Sequence, residues 1–252
     1  MRALITGASS GIGLALAREL SRRGYELALL ARRGELLEEL ARELKTRVVF
    51  AACDVTDNTA VHDAVRTLEE KTGPFDLAIA NAGISIPGHA TKFNVADAEQ
   101  IIRVNVLGML YLFDAVIHGM VERRAGRFVG IASIAGLRGL PSGATYSASK
   151  AAMQAFLEAS RVELAPYGVG VTIVNPGFIA TPLTEKNKFK MPLLMQPDKA
   201  ARVIADGIGR GKRVVEFPRT MSLLMRAMRQ LPDPVYDRVT ASFARRRKTE
   251  KQ

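Results

Sequence analysis

Short runs of consecutive apolar residues recur along the chain and alternate with longer segments that have helical spacing. Each run is mostly apolar throughout, a pattern typical of strands that are covered on both faces. The runs span residues 2–5, 25–31, 47–51, 77–80, 128–132, 170–174 and 213–217. We expect each of them to form a strand.

The segments between these runs predict helices. In residues 35–45, for example, Leu37, Leu40 and Leu44 fall on one stripe, with Glu and Arg residues opposite. Strands that alternate with helices predict an α/β fold, a doubly wound parallel sheet of about seven strands with helices on both faces. Such a sheet binds its ligand at the carboxyl ends of the strands. We see no linker rich in Gly, Ser or Pro, so we expect residues 1–252 to form a single domain.

The charge of the chain is concentrated at one end. The formal net charge is +11. Residues 1–200 hold 23 basic and 20 acidic side chains, whereas residues 201–252 hold 13 basic and 5 acidic ones. A nucleic-acid binder carries its basic charge on a reading face. A basic end behind a nearly neutral body therefore argues against a nucleic-acid partner.

Cysteine and histidine are too scarce for a disulfide or a metal site. Cys53 is the single cysteine, and the chain has three histidines without metal-binding spacing, so we expect no bound metal. We interpret Cys53 as a small buried apolar residue. The first residues do not resemble a signal peptide, and we expect no stretch to reach the roughly 20 apolar residues of a membrane span. These observations favour a cytoplasmic protein.

A glycine-rich turn joins the first predicted strand to the first helix. The turn reads Thr6, Gly7, Ala8, Ser9, Ser10, Gly11, Ile12 and Gly13. Glycines permit a tight turn and let the backbone approach a pyrophosphate. The start of the helix directs free N–H groups at the anion. The turn predicts a dinucleotide-binding site, and the alternative is a plain strand–helix connection.

The end of the second predicted strand indicates which dinucleotide is bound. An acidic residue commonly stands there and binds the ribose 2′-hydroxyl. Here the strand ends with Ala31 and is followed by Arg32 and Arg33. A guanidinium matches the geometry of a phosphate, and Ser9 can add a hydroxyl, so NADP(H) is favoured over NAD. The alternative is a solvated basic pair that opens the next helix.

Tyr146 and Lys150 are spaced so that both side chains lie on one face of a helix. A phenol with a pKa near ~10 is a poor acid at neutral pH, and a nearby ammonium lowers that pKa. Ser133 stands at the carboxyl end of a predicted strand, 13 residues before the tyrosine. These three residues can hold a carbonyl and exchange a proton with its oxygen.

With these motifs, residues 2–181 resemble the short-chain dehydrogenase/reductase (SDR) family. The motifs that carry the resemblance are Thr6–Gly13, Asp54 with Val55, Asn81, Ala82 and Gly83, Asn105, Ser133, Tyr146 with Lys150, and Pro176 and Gly177 followed by Thr181. The resemblance implies a Rossmann fold and a nicotinamide cofactor. Ala31, in place of the acidic residue, is the one departure that bears on cofactor choice.

The resemblance also implies a role for each motif. Asp54 and Val55 would flank the adenine, and Asn81, Ala82 and Gly83 would line the cofactor. Asn105 would hold a water of a proton relay, and Lys150 would also bind the nicotinamide ribose. The residues that would contact the nicotinamide end are Pro176, Gly177, Ile179 and Thr181. A homodimer or homotetramer, formed through residues 95–121 and 143–167, is implied in the same way.

The expected reaction is hydride transfer between NADP(H) and a carbonyl or secondary alcohol. Ser133 would hold the oxygen, and Tyr146 would protonate it. Two alternatives remain open. One is an NADP-binding sensor without activity, and the other is a sugar or steroid alcohol dehydrogenase of the same family.

Beyond Thr181 the chain is individual. Residues 182–198, here called the lid segment, hold apolar side chains among the charged Glu185, Lys186, Lys188 and Lys190, and their position and apolar content favour an acyl or lipid-like substrate. Residues 219–252, the C-terminal extension, combine apolar residues at helical spacing with many arginines and end in a basic tail. Such a helix can lie on an anionic membrane surface, or it can pack on the body or on another subunit.

Overall fold

The computed structural model describes residues 1–185, 187 and 191–249. Seven parallel strands form one sheet in the order β3-β2-β1-β4-β5-β6-β7. The strands are β1 (Arg2–Thr6), β2 (Glu26–Ala31), β3 (Val48–Ala52), β4 (Leu77–Ala80), β5 (Gly126–Ile131), β6 (Val169–Pro176) and β7 (Val214–Phe217). All seven predicted strands are confirmed, with ends that differ from the predictions by at most two residues.

Helices cover both faces of the sheet. They are α1 (Gly11–Arg22), α2 (Gly34–Glu43), α3 (Asn58–Thr72), α4 (Val95–Ile102), α5 (Gly108–Glu122), α6 (Ala144–Leu164), α7 (Pro182–Glu185), α8 (Pro197–Gly209), α9 (Arg219–Gln230) and α10 (Asp233–Thr249). One core lies between the sheet and α1, α2 and α8, and the other lies between the sheet and α3, α5 and α6. The central strands are mostly apolar because both of their faces are buried in these cores, whereas β3 at the edge of the sheet is only partly buried.

The strand order reverses direction between β1 and β4, which are neighbours in the sheet but not in the chain. At such a point the connections leave toward opposite faces and open a crevice at the carboxyl ends of the strands. The glycine-rich turn follows β1 and therefore lies at this crevice. The fold is the doubly wound Rossmann arrangement that the sequence predicts.

We expected no stretch with the length and composition of a membrane span, and this expectation is wrong. The stretch Val95–Glu122, which comprises α4, a π-helical turn at Arg103–Leu107 and α5, is long and apolar enough. Several of its apolar side chains pack inside the protein: Met109, Leu112 and Met120 are buried in the core, and α5 packs on β4 and β5. One face of α5 therefore belongs to the core, and 39% of the apolar part of the stretch is buried.

Cys53 follows β3 and is buried, as expected. Burial, together with Asp54 and Asp57, raises the pKa of its thiol to about 11. The thiolate is the reactive form of cysteine, so Cys53 remains an unreactive thiol near neutral pH.

Candidate active site

Three positions of the glycine-rich turn, Gly7, Gly11 and Gly13, require glycine. Gly7 and Gly11 have φ values of +66° and +57°, a region that glycine enters without strain. A methyl group at Gly13 would lie 2.3 Å from the carbonyl oxygen of Gly7. The turn then continues into α1, where Ser10 is the N-cap without a side-chain cap bond and the first turn has no acidic residue. This N-terminus is suited to a pyrophosphate.

A guanidinium and a hydroxyl meet beside this turn. Arg33 Nη2 donates to Ser9 Oγ over 3.0 Å; Arg33 is exposed and Ser9 is half-buried. Arg32 is also exposed and follows Ala31 at the end of β2. The turn and the two arginines therefore present cationic and hydroxyl donors at the position where an adenosine phosphate would lie. These residues fit a nicotinamide dinucleotide.

The end of β4 is tied to the glycine-rich turn by Asn81. Its Nδ2 donates to the carbonyl oxygens of Thr6 and Gly7, and Thr6 Oγ1 accepts from the amides of Asn81 and Ala82. The side chain of Asn81 thus holds two strand ends together. Gly83 follows, and a methyl group there would lie 3.3 Å from Asn105 Oδ1 and 3.5 Å from Lys150 Nζ. This segment brings the cofactor motif and the catalytic residues together.

Asp54 and Val55 have local partners after β3. Asp54 Oδ1 accepts hydrogen bonds from the amide and the hydroxyl of Thr56. Val55 is buried, and its side chain packs so closely on Gly108 that a methyl group there would lie 2.9 Å from it. Their contact with adenine stays a prediction.

The segment after β6 returns to the glycine-rich turn. Gly177 N donates to the carbonyl of Phe217 over 2.7 Å, and Ile179 is buried against the core. The Thr181 side chain lies 3.1 Å from the position that a methyl group at Gly11 would occupy. The predicted nicotinamide-end residues, Pro176 among them, therefore border the same crevice.

Ser133 and Tyr146 meet at the end of β5. Ser133 caps a short 3-10 helix, Ile134–Gly136, by accepting a hydrogen bond from Ala135 N. Its hydroxyl also hydrogen-bonds with the Tyr146 side chain, which is half-buried. The predicted serine–tyrosine pair is thus assembled although 13 residues separate its members.

The pKa of Tyr146 differs from the sequence-based expectation. Burial raises the pKa of the phenol above 10.0, and the hydrogen bond with Ser133 only partly opposes this. Lys150 was expected to lower that pKa as an ammonium ion. Its Nζ lies 5.8 Å from the centre of the Tyr146 ring and donates to the carbonyl of Ile131 over 2.8 Å. Burial lowers the pKa of Lys150 to about 7, so much of its charge is lost at neutral pH.

Asn105 lies in the π-helical turn between α4 and α5 and is fully buried. Its Oδ1 accepts from Ile84 N, and its Nδ2 donates to Ile84 O and to Ser149 Oγ. Ser149 Oγ in turn donates to the carbonyl of Tyr146 over 2.7 Å. The amide side chain therefore fixes the start of the catalytic helix, and its role in a water relay stays a prediction.

The sequence analysis missed Ser149 and Gln154, whose side chains hydrogen-bond with the predicted site residues. Gln154 Nε2 donates to the carbonyl of Ser133 over 2.7 Å and to Asn175 Oδ1 over 2.9 Å. Gln154 follows Lys150 by one helical turn and Tyr146 by two. The repeat of polar residues every four positions on α6 was the available signal.

The lid segment is described only in part. Residues 186 and 188–190 lie outside the described residues, as do residues 250–252 of the basic tail. Met195 N donates to Phe178 O, and Ala180 N donates to Met195 O, so the end of the segment pairs with the chain after β6. Leu193 and Leu194 are exposed.

Comparison with known proteins agrees with this geometry. Residues 1–191 match the family description "short chain dehydrogenase". An uncharacterised oxidoreductase of Myxococcus xanthus is 40% identical over 238 residues, 93% of this chain and 94% of that protein. The mouse 3-ketodihydrosphingosine reductase is 36% identical over 196 residues, which are 74% of this chain and 59% of that protein.

Solved structures of the same fold contain nicotinamide cofactors. An alcohol dehydrogenase from Thermococcus sibiricus, in complex with 5-hydroxy-NADP, superposes with a TM-score of 0.76 at 28% identity and covers 86% of this chain and 94% of that one. A dehydrogenase from Burkholderia phymatum, in complex with NAD, gives a TM-score of 0.83 at 23% identity and covers 89% and 91%, which shows the fold alone. The glycine-rich turn, the assembled Ser133–Tyr146–Lys150 set and the match over residues 1–191 place this chain in the short-chain dehydrogenase family of oxidoreductases.

Proposed function

We propose that this protein reduces the carbonyl group of an apolar, acyl or lipid-like substrate with NADPH. The observation that carries the proposal is the meeting of Ser133, Tyr146 and Lys150 at one strand end, beside the glycine-rich turn. NADPH, when bound, supplies a hydride to the carbonyl carbon. The carbonyl oxygen takes up a proton, so an alcohol is formed.

Each residue has a task that follows from its environment. Ser133 holds the carbonyl oxygen by a hydrogen bond, and Tyr146 gives it a proton. A phenol whose pKa is raised by burial is fully protonated near neutral pH, the form that a reduction requires. Lys150, with a pKa of about 7, then returns a proton to the phenolate and stabilises it while it is charged. Asn105 holds the helix start against which these groups are aligned.

The preference for NADPH is supported by the Arg33–Ser9 pair. Both groups are suited to an adenosine 2′-phosphate, and Ala31 leaves no carboxylate to repel it. Solved structures of this fold hold NADP-type cofactors as well as NAD, so the fold does not distinguish the two cofactors. The proposed preference is therefore based on the residues of this chain.

The choice of an apolar substrate is supported by the residues around Ser133. Ile134 and Leu137 form a buried cluster with Met221 and Met225 of α9, and Phe178 packs against it. Leu193 and Leu194 of the lid segment are exposed, and Met195, which follows them, donates its amide to the carbonyl of Phe178. An apolar wall of this kind favours an alkyl chain over a sugar, and the mouse relative is named 3-ketodihydrosphingosine reductase.

The test is an NADPH-oxidation screen with lipid, acyl, steroid and sugar carbonyls. We expect turnover of long-chain ketones and at least a 1000-fold lower kcat in Tyr146→Phe, with little change in the Kd for NADPH. A sensor without activity would bind NADPH and reduce none of the carbonyls. Wild-type activity in Tyr146→Phe would contradict the assignment of the proton donor.

Peripheral contact with an anionic membrane surface is proposed for the C-terminal extension. Leu223 and Leu224 on α9 are 67% and 56% exposed, beside the exposed Arg219, and Val235 on α10 is 46% exposed. We expect the protein to co-sediment with phosphatidylserine vesicles and expect this to be lost when Leu223→Ser and Leu224→Ser are combined. Equal sedimentation of both forms would refute the contact.

Self-association is proposed for another part of the surface. Val95 on α4 and Val162 on α6 are 62% and 67% exposed, and Phe93 lies exposed just before α4. Exposed apolar side chains of this size favour burial in a dimer or tetramer. Sedimentation velocity of the wild type and of Val162→Glu tests this, and a monomeric wild type would refute it.

A further inference from the structure

The segment between the catalytic serine and tyrosine has few internal supports. After Gly136 it runs as a loop through residues 137–143, which include Gly139, Pro141 and Gly143. A methyl group at Gly139 would meet nothing within 4 Å, so that side of the chain is open. Ser142 has a positive φ of 63°. A loop of this kind keeps one conformation only when other parts of the protein hold it.

Two residues of this loop are held by the C-terminal helices. Arg138 Nη1 donates to the carbonyl of Arg229 over 2.9 Å, and Arg138 Nη2 donates to Asp233 Oδ1 over 2.7 Å. The same guanidinium lies 4.3 Å from the centre of the Tyr236 ring. The Tyr236 hydroxyl donates to the carbonyl of Gly139. We call these contacts the corner clamp.

The clamp is well placed to have an energetic effect. Tyr236 is 9% exposed, and the Arg138 side chain is 20% exposed, so both groups are largely shielded from solvent. The attraction between a cation and the face of an aromatic ring is stronger when both are shielded from water. Asp233 is exposed, and its ion pair with Arg138 therefore adds little. The ring of Tyr236 and its hydroxyl are the main parts.

The clamp joins the loop to residues outside the family match, which ends at residue 191. On the inner side, Leu140 N donates to Ser147 Oγ of the catalytic helix. Gly88 N also donates to the carbonyl of Ser142 over 3.1 Å, so the loop is held by α6, by the segment after β4 and by the C-terminal helices. A displacement at Arg138 or Gly139 would move Leu137 and the wall next to Ser133.

We infer that Arg138 and Tyr236 are positioning residues of the reductase site, through which the C-terminal extension orders the loop between Ser133 and Tyr146 and sets the wall that receives the carbonyl substrate. This inference rests on the proposed function. It predicts that the clamp acts on the carbonyl substrate and not on NADPH, because the glycine-rich turn lies at the end of another strand. Neither residue touches the reacting atoms.

The test uses two clamp variants, Tyr236→Phe, which loses only the hydroxyl, and Arg138→Ala. Arg238→Ala is the matched control. Arg238 lies two residues from Tyr236 on α10 and is exposed. We expect kcat/KM for the carbonyl to fall about fivefold in Tyr236→Phe, the factor of one neutral hydrogen bond, and further in Arg138→Ala. The Kd for NADPH and the activity of Arg238→Ala should not change.

Hydrogen exchange measured by mass spectrometry provides a readout that does not depend on turnover. We expect faster exchange in residues 134–145 of both clamp variants, and not in the control. If the clamp variants have a lower Tm but an unchanged kcat/KM at temperatures well below that Tm, the clamp is only a structural contact and the inference is overturned. Unchanged hydrogen exchange in residues 134–145 would overturn it as well. If the wild type reduces no carbonyl, the proposed function fails, and the exchange result still decides whether the clamp orders the loop.

Discussion

Arg33→Ala is the most direct test of how this chain selects its cofactor. Arg33 Nη2 lies 3.0 Å from Ser9 Oγ beside the glycine-rich turn, so a phosphate bound there would meet both donors. A hydrogen bond to a charged group contributes about 1.5–3 kcal/mol. Arg33 is exposed, and solvent screening places its contribution near the lower end, about 1.5–2 kcal/mol.

This free energy corresponds to a roughly 10- to 30-fold higher KM for NADPH. NADH lacks the 2′-phosphate, so its KM should stay within about twofold, and kcat with either cofactor should be unchanged. Initial rates with both cofactors measure this, and at 0.5 M salt the difference should shrink because exposed charges are screened. Arg42→Ala, which removes an exposed charge from the end of α2, is the control.

Two results would refute the reasoning. An equal rise of KM for NADPH and NADH would mean that Arg33 supports the turn in general and does not distinguish the cofactors. No change for either would exclude Arg33 as the phosphate ligand, and Arg32→Ala would then be the variant that must show the effect.

Two further predictions concern Lys150 and Gly13. Because burial lowers the pKa of Lys150 to about 7, kcat/KM for carbonyl reduction should fall as pH rises through 7 and the ammonium is lost, and a flat profile from pH 6 to 9 would contradict this. Gly13→Ala would place a methyl group 2.3 Å from a backbone oxygen. We therefore expect the free energy of unfolding to fall by about 1–3 kcal/mol, and calorimetry should show a Tm lower by roughly 2–10 °C. Gly209→Ala, at the exposed end of α8 with open space around it, should leave Tm unchanged or raise it.

The local pattern of the chain determined the elements of the fold. Runs of consecutive apolar residues made all seven strands recognisable without any tertiary information, although β3 at the edge of the sheet is only partly buried. The glycine-rich turn was equally plain, because positive φ at Gly7 and Gly11 and the close approach at Gly13 restrict those positions to one residue type. Tyr146 and Lys150 were found because helical spacing places them one turn apart.

Only the tertiary structure decided what depends on burial and on distant partners. Partial burial raises the pKa of Tyr146, and full burial of Lys150 lowers its pKa and removes much of its charge, whereas a sequence shows only the spacing of the pair. The contacts of Gln154 with Ser133, and of Tyr236 with Gly139, join residues that are 21 and 97 positions apart. The sequence therefore indicated the candidate catalytic residues, and packing of the helices on the sheet decided their charge and the contacts that hold them in place.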